Sequence, residues 1–415
     1  MAKQSFILRE KSILPIFSPE HFVERQVKRL SETIGDKRAL VAISGGVDST
    51  TCAVLTHRAV GDNLVCAILD DAFMRLGEPE HVADLMMKPP LEVPTKIINV
   101  RDRFMQAMRG LSDAEAKRKM FRETFYRVLG ETAREEKCRF LVQGTIRADV
   151  DETVGGVKTQ HNVLVQMGIN PIENFGFEVV EPLLTLYKGQ VRSAARFLEL
   201  PPELSERQPF PGPGLSVRVV GEILDDKLET VRRATSIVES ELAKYRPTPS
   251  QFFAVIVDNE ALAKEPEIDR IQGTTAQFLR IPYRKISVKI FRNRATGVRG
   301  GARRYGKIVG IRVQTPDSKV FPASIHSLIS LQAKITTEDL DVTRVFYEID
   351  EVSGEKPYVV GVRSVQTENF LEAQVSDFPW VILRDIAQRI IDACSNVGAV
   401  YYDITPKPPA TIEME

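Results

Sequence analysis

The chain has 415 residues, with 56 basic and 56 acidic side chains and a formal net charge of zero. That length predicts two or three domains with enough chain for true cores. The balanced charge argues against a general binder of nucleic acid or of an anionic membrane, because both reward clustered positive charge. Residues 1–17 carry charges inside their apolar stretch and have no signal-peptide core. No run approaches the roughly 20 apolar residues of a membrane helix. Cys52, Cys66, Cys138 and Cys394 are scattered, without the spacing of a zinc site or a redox dithiol. They read as reduced core thiols, which fits a cytoplasmic protein.

Along the chain, residues 1–20 carry no interpretable motif and are set apart as an extension. Arg38-Ala-Leu-Val-Ala-Ile-Ser44 is a short apolar run ending in glycines, followed by a helix-like stretch from Val47 to His57 and a second apolar run, Leu64 to Asp70. Strand, glycine turn, helix, strand is a βαβ unit with a parallel sheet. Further strands are predicted at Thr95–Val100, Arg139–Gly144 and Phe177–Glu181, with helices over Asp113–Lys137 and Lys188–Leu198. The strands are continuously apolar rather than alternating, so both faces of the sheet are expected under helices. Residues 21–206 form this α/β domain. At Pro201–Leu215 five prolines and two glycines preclude regular structure. On composition alone this is a linker, and a second α+β domain spans 207–415.

That second domain contains an apparent repeat. Ile308-Val-Gly-Ile-Arg-Val-Gln-Thr315 is echoed by Val359-Val-Gly-Val-Arg-Ser-Val-Gln-Thr367, and Val342-Thr-Arg-Val-Phe-Tyr-Glu-Ile349 by Val397-Gly-Ala-Val-Tyr-Tyr-Asp-Ile404. With helices between the echoes, near Ile325–Ala333 and Phe378–Cys394, this predicts two copies of a strand–helix–strand unit. Repeated strands present sheet edges, and a symmetric homodimer is the expected way to cover them.

The sharpest motif is Ser44-Gly-Gly-Val-Asp-Ser-Thr50, between a strand and a helix. Gly45 and Gly46 let backbone N–H groups approach an anion, the helix N-terminus from Val47 adds partial positive charge, and Ser44, Ser49 and Thr50 offer hydroxyls. No lysine follows the glycines, so this is not the common nucleotide-binding P-loop. Asp48 beside phosphates would repel them unless a divalent cation intervened, which implies Mg²⁺. The motif resembles the pyrophosphate loop of the N-type ATP pyrophosphatases, which cut ATP between its α and β phosphates and form an adenylated intermediate.

Within that superfamily, several further runs resemble GMP synthase. They are Arg207-Gln-Pro-Phe-Pro-Gly-Pro-Gly-Leu215, Gly297-Val-Arg-Gly300 with Arg303 and Tyr305, Lys117-Arg118-Lys119, Gly144-Thr-Ile-Arg-Ala-Asp149, and Tyr402-Asp-Ile-Thr405 before Lys407-Pro-Pro-Ala-Thr-Ile-Glu413. The resemblance covers residues 20 to 415 and replaces the linker reading of the proline-rich run. It implies a ligase that aminates xanthosine monophosphate through an adenylated intermediate, using ATP and Mg²⁺. It further implies that the loop and Gly144 hold ATP, that Asp48 and Asp149 hold the metal, and that Asp48, Ser49 and Lys407 are catalytic. Arg118, Gln251, Arg303, Lys407, Ile412 and Glu413 would bind the acceptor. The tail would then fold back onto the first half of the chain.

Only 43 residues precede Ser44, too few for a glutamine-hydrolysing module, so ammonia is expected from a separate amidotransferase subunit or from solution. The chain departs from the family pattern at Gly301 (aspartate), Gln160 (histidine), Ala148 (proline), Asp70-Asp71-Ala72 (acid–Asn/Thr–Gly) and Met414 (tryptophan). Gly301 keeps open a relative that adenylates a different acceptor. A catalytically silent nucleotide-binding protein is the reading that the intact loop opposes.

Overall fold

A computed structural model describes residues 17–154, 171–262, 266–317, 319–368 and 371–415. Gln160 and its neighbours His161 and Asn162 lie outside the described residues. The chain divides into two compact units. The first takes residues up to Ala67 together with Leu85–Thr95 and Thr132–Arg207. The second takes Ile68–Asp84, Lys96–Glu131 and Gln208–Glu415, so part of the sequence's first half belongs with its second.

The elements of the α/β part are α1 (Pro19–Ile34), β1 (Arg38–Ala42), α2 (Val47–Val60), β2 (Leu64–Asp70), α3 (Glu78–Met87) and β3 (Thr95–Asn99). They continue with α4 (Arg101–Met108), α5 (Ala114–Glu135), β4 (Cys138–Val142), α6 (Arg147–Val154), α7 (Pro171–Phe175), β5 (Glu178–Val180), α8 (Lys188–Phe197) and α9 (Pro202–Ser205). The five strands form one sheet in the order β3-β2-β1-β4-β5. β1 pairs in parallel with β2 and β4, and β4 with β5. Leu40 and Val41, between these neighbours, are buried, which is why the strand reads as continuously apolar. From β1 the chain moves outward through β2 and β3, then returns to β4 on the other side. The reversal opens a crevice at the carboxyl ends of β1 and β4, the usual ligand position in open α/β sheets.

The second unit continues with α10 (Asp225–Leu242), β6 (Gln251–Asp258), α11 (Glu267–Leu279), β7 (Ile286–Arg299), β8 (Ala302–Val313), α12 (Ile325–Glu338) and β9 (Val342–Glu351). It closes with β10 (Tyr358–Gln366), β11 (Gln374–Val375), α13 (Trp380–Ala393) and β12 (Val397–Asp403). Its mixed sheet runs β11-β10-β12-β9-β8-β7, with β6 also on β10. Strand alternation sorts the side chains. Val309, Ile311, Val345, Tyr347, Val360, Val362, Val400 and Tyr402 join one core cluster with residues of α10, α12 and α13. Ile308, Phe346, Val359 and Tyr401 alternate to the other face, where Ile412 and Met414 of the tail join them.

The predicted duplication is present, and its register is conserved. β8–α12–β9 and β10–α13–β12 are each a parallel strand pair joined through a helix. Gly310 pairs with Phe346 in one copy as Gly361 pairs with Tyr401 in the other. Tyr347 Oη donates to Phe321 O at 2.8 Å, and Tyr402 Oη, its counterpart, donates to Ser376 O at 2.5 Å. The copies meet antiparallel along β9 and β12, with Tyr347 opposite Tyr402, Glu348 opposite Tyr401 and Phe346 opposite Asp403. The last two pairs exchange under a two-fold rotation. An axis of pseudo-symmetry therefore passes through the two tyrosines.

Candidate active site

In the first unit, residues 43–46 make the turn between β1 and α2. Gly45 sits at φ +70°, a left-handed conformation that a side chain resists. Gly46 caps α2 without a side chain, leaving the first helical N–H groups available to an anion. Ser44 N donates to Ser49 Oγ at 3.2 Å, and the two hydroxyls are 3.3 Å apart. The Thr50 hydroxyl, expected to face the anion, instead donates to Gly46 O at 2.8 Å, and Thr50 itself is fully buried. Val47 is likewise buried. Gly144 follows β4 against this turn. A Cβ there would lie 2.9 Å from Asp48 C and from Ser49 N, so only glycine permits the approach.

Asp48 is the electrostatic centre of the loop. Its Oδ2 accepts from Lys188 Nζ at 2.6 Å, while its Oδ1 is buried with no hydrogen-bond partner. Burial raises its carboxyl above the usual range; Lys188 and Arg192 oppose that shift, and Asp149 reinforces it. Asp149 accepts from Ile146 N at 3.0 Å, which ties it to the start of α6. An orphaned carboxylate oxygen within electrostatic reach of a second carboxylate suits a hard cation that takes its other ligands from phosphate and water. Among the described residues no group of three acidic, histidine or cysteine side chains forms a complete metal cage.

Lys188 and Arg192 were missed by sequence reasoning, which read them as part of an ordinary helix. One signal was available. A lysine at the first position of a helix opposes the macrodipole and calls for another reason to be there. Arg192 lies one turn along, its Nε buried without a hydrogen-bond partner and 4.0 Å from Glu206.

In the second unit, Arg118 and Arg303 converge on Glu115, at 2.6 and 2.5 Å. Tyr305 Oη also donates to Glu115 at 3.1 Å and lies 3.4 Å from Arg118. Burial pushes the Glu115 carboxyl up, but the two guanidiniums outweigh it and hold the group below its usual value. Two guanidiniums and a phenol gathered on one carboxylate form a set able to grip an anion. Glu115, which organises the set, was not singled out from sequence. Its neighbour Lys117 turns inward, donating to Val219 O and Gly221 O at 2.8 Å and pairing with Glu415. Lys119 is exposed. One helical stretch of three cations thus serves three purposes.

The tail lies on the second unit's sheet. Lys407, half-buried, exchanges backbone bonds with Ala373. Val298 N donates to Pro409 O at 2.7 Å, and Thr296 N to Met414 O at 2.8 Å. Below it, Asp403 lies between Arg344 at 2.9 Å and Arg363 at 3.2 Å, all three fully buried. Those guanidiniums donate onward to Thr405 O, Thr411 O and Glu413 O, which pins the tail. Glu413 is itself held by Arg218, with both contacts at 3.1 Å. Gln251 opens β6 opposite Val365, buried, on the sheet face shared with Ile412.

Several departures from the expected pattern have local causes. Arg299 and Ala302 close a two-residue turn in which Gly300 and Gly301 both have positive φ, +55° and +76°. That backbone demands glycine, so Gly301 is a turn residue and no longer argues for another acceptor. Ala72 holds φ +75°, where the resembled pattern has glycine, and its N–H is accepted by Asp70 Oδ1 at 3.3 Å. Met414 is fully buried and so keeps an apolar anchor at the expected tryptophan position. Ala148 lies in the first turn of α6.

The NAD synthase family model matches residues 19–217, and the model of the GMP synthase C terminal domain matches residues 353–414. A subunit of the glutamine-hydrolyzing GMP synthase of Sulfurisphaera tokodaii is 41% identical, over 96% of this chain and 100% of its own. The protein of the same name from Methanopyrus kandleri is 37% identical over 96% and 100%. Among solved structures, the NMN synthetase from Francisella tularensis is 18% identical, covering 48% of this chain and 79% of that one, with a TM-score of 0.38.

Proposed function

The chain belongs to the GMP synthase family, as one of its separate synthetase subunits, and from that premise we propose that it aminates xanthosine monophosphate to GMP, driven by cleavage of ATP to AMP and pyrophosphate. The C2 oxygen of the acceptor attacks the α-phosphorus, the bond to the β-phosphate oxygen breaks, and pyrophosphate leaves. Ammonia then attacks C2, the C2–O bond breaks, AMP departs, and a proton is lost from nitrogen. Adenylation is required because the free C2 oxygen is a poor leaving group.

The helix N-terminus after Gly46, with Ser44 and Ser49, receives the departing pyrophosphate, and Lys188 and Arg192 balance its charge. Asp48 and Asp149 would hold Mg²⁺, which when bound neutralises phosphate charge. Arg118, Arg303 and Tyr305 take the phosphate of the acceptor in exchange for Glu115. Lys407 is a further cation suited to that phosphate, Gln251 and Glu413 belong to the acceptor's purine edge or amine, and Ile412 lies beside them in the tail. Ammonia comes from a separate glutamine amidotransferase subunit, and the reaction runs in the cytoplasm, consistent with four buried free thiols.

The observation that carries this reading is the intact loop with Asp48 Oδ1 buried and unpaired, in a chain that its relatives match over 96% of its length. The experiment is pyrophosphate release from Mg²⁺-ATP and ammonium with and without xanthosine monophosphate. Release that depends on the nucleotide, with GMP formed, is expected. Protein that binds ATP yet ignores this acceptor would overturn the reading.

A further inference from the structure

Glu115 is held in a way that an ordinary surface ion pair is not. It stands in the first turn of α5, and Arg118 follows one turn along on the same side of the helix. Arg303 and Tyr305 come from β8, where positions two apart share a face of the strand. Three donors from these two elements meet at a single oxygen, Glu115 Oε1: Arg118 Nη1 at 2.6 Å, Arg303 Nη1 at 2.5 Å and Tyr305 Oη at 3.1 Å. A carboxylate that grips an arginine firmly uses both oxygens in a fork, as Glu131 does with Arg103 in the same unit. The Glu115 side chain is itself 54% exposed, so its pairs contribute little to holding the fold together.

The charges do not balance either. Two guanidiniums face one carboxylate, which leaves the set with surplus positive charge and still attractive to an anion. Arg303 and Tyr305 also line an open hollow of about 600 Å³, shared with Arg304, Gly306, Asp341 and Thr343, so there is room for a ligand beside the donors. Two planar cations and a phenol converging on one point suit a phosphate. Giving them up does not strand Glu115. A carboxylate in the first turn of a helix is favoured by the helix dipole, and this one has solvent to turn into.

We propose that Glu115 is an internal stand-in for phosphate: it occupies the anion site of Arg118, Arg303 and Tyr305 while that site is empty, and an incoming phosphate must displace it. Only the fraction of molecules with Glu115 turned away is competent to bind, so the affinity for any phosphate is lowered by that fraction. Free phosphate and released pyrophosphate, gripped by their charges alone, are thereby kept out. A nucleotide with further contacts to its base still enters. That this nucleotide is the acceptor rests on the function proposed above; the exchange of Glu115 for phosphate does not.

The test is inorganic phosphate at pH 8, titrated calorimetrically into the full chain without ATP or acceptor. Glu115→Gln keeps the length of the side chain and removes its charge, and it should bind phosphate about tenfold more tightly than the parent. The gain should vanish when Arg303→Ala is added, because the site that the variant opens is then lost. Glu123→Gln, two turns further along α5 and paired with Lys119, reports what the loss of any nearby negative charge does, and should change the affinity by less than about twofold. Unchanged or weaker binding to Glu115→Gln would show that Glu115 positions the arginines instead of competing for them, and would overturn the proposal. So would an equal gain in Glu123→Gln, or a gain that survives Arg303→Ala. KM for xanthosine monophosphate in the pyrophosphate assay should fall in parallel with the phosphate dissociation constant. If phosphate binding tightens as expected while KM does not move, the exchange stands and the assignment of the acceptor's phosphate to this site is what fails.

Discussion

Asp48 combines three properties that set its chemistry: a raised pKa from burial, one oxygen bound by Lys188 and one oxygen bound by nothing. Asn in its place would keep the shape and the contact with Lys188 but lose the charge. Asp48→Asn should lower pyrophosphate release by about 10²–10³-fold while leaving thermal stability within about 1 kcal/mol, as read by calorimetry. An active variant would remove Asp48 from the chemistry. Asp71 offers a separate test. Burial pushes its carboxyl up to about 7. The folded protein therefore retains a proton there that the unfolded chain gives up from about pH 4. Stability falls as pH rises through that window and levels off above about 7. Asp71→Asn keeps the Oδ1 that accepts from Phe73 N at 2.8 Å. It should leave stability unchanged near pH 4 and raise it by a few kcal/mol at pH 8, by thermal melts at both values. Equal effects at the two pH values would show that Asp71 does not titrate there. These single-residue features were unequally legible in the sequence. Ser44–Ser49 announced itself because a strand, two glycines and a helix start are all local. Lys188 and Glu115 did not, because each takes its role from a partner distant in sequence, Asp48 in one case and Arg303 in the other.

Among the elements, the junction of β1, α2 and β4 depends on one missing side chain. Gly144→Ala would force a methyl to within 2.9 Å of two backbone atoms at the helix start. The expected result is a displaced α2 N-terminus, about 2–3 kcal/mol of lost stability and a fall in ATP affinity measured by calorimetric titration. Unchanged binding would mean that the turn has more room than its backbone shows. The strands of the α/β part and of the duplicated unit were well read in the sequence, because a repeat preserves both vocabulary and spacing, whereas β7 over Ile286–Arg299, rich in charged side chains, was not. What could not be read was how the chain divides in space. Nothing local tells that 96–131 packs with residues beyond 208, or that Lys117 turns inward to Glu415 while Arg118 beside it reaches Glu115. Successive helical positions differ by about 100°, so three neighbouring cations must face three ways, but only tertiary contacts choose which.

The two halves of the pseudo-symmetric sheet carry the same ion pair in different surroundings. Asp403 neutralises two guanidiniums, all fully buried, whereas Glu348 pairs with a partly exposed Arg312 and burial lifts its carboxyl to about 7. Asp403→Asn should leave buried charge uncompensated, costing about 3–5 kcal/mol and loosening the tail, with activity lost alongside stability. Glu348→Gln should cost less than about 1 kcal/mol at pH 7, where the native group is already partly protonated, and should leave activity intact. Denaturant melts and turnover on the two variants would decide the matter, and similar losses in both would mean the halves still share one role. An axis of pseudo-symmetry that lies within one chain has a further consequence for how this molecule can change over generations. When identical chains pair, every inherited substitution strikes both sides of the axis at once, and a change that helps one side must be survivable on the other. Here each substitution falls once. One half can shed its tail, trade an aspartate for a glutamate or relax a loop while its counterpart stays under full selection, so the descendants of this sheet are free to become ever less alike.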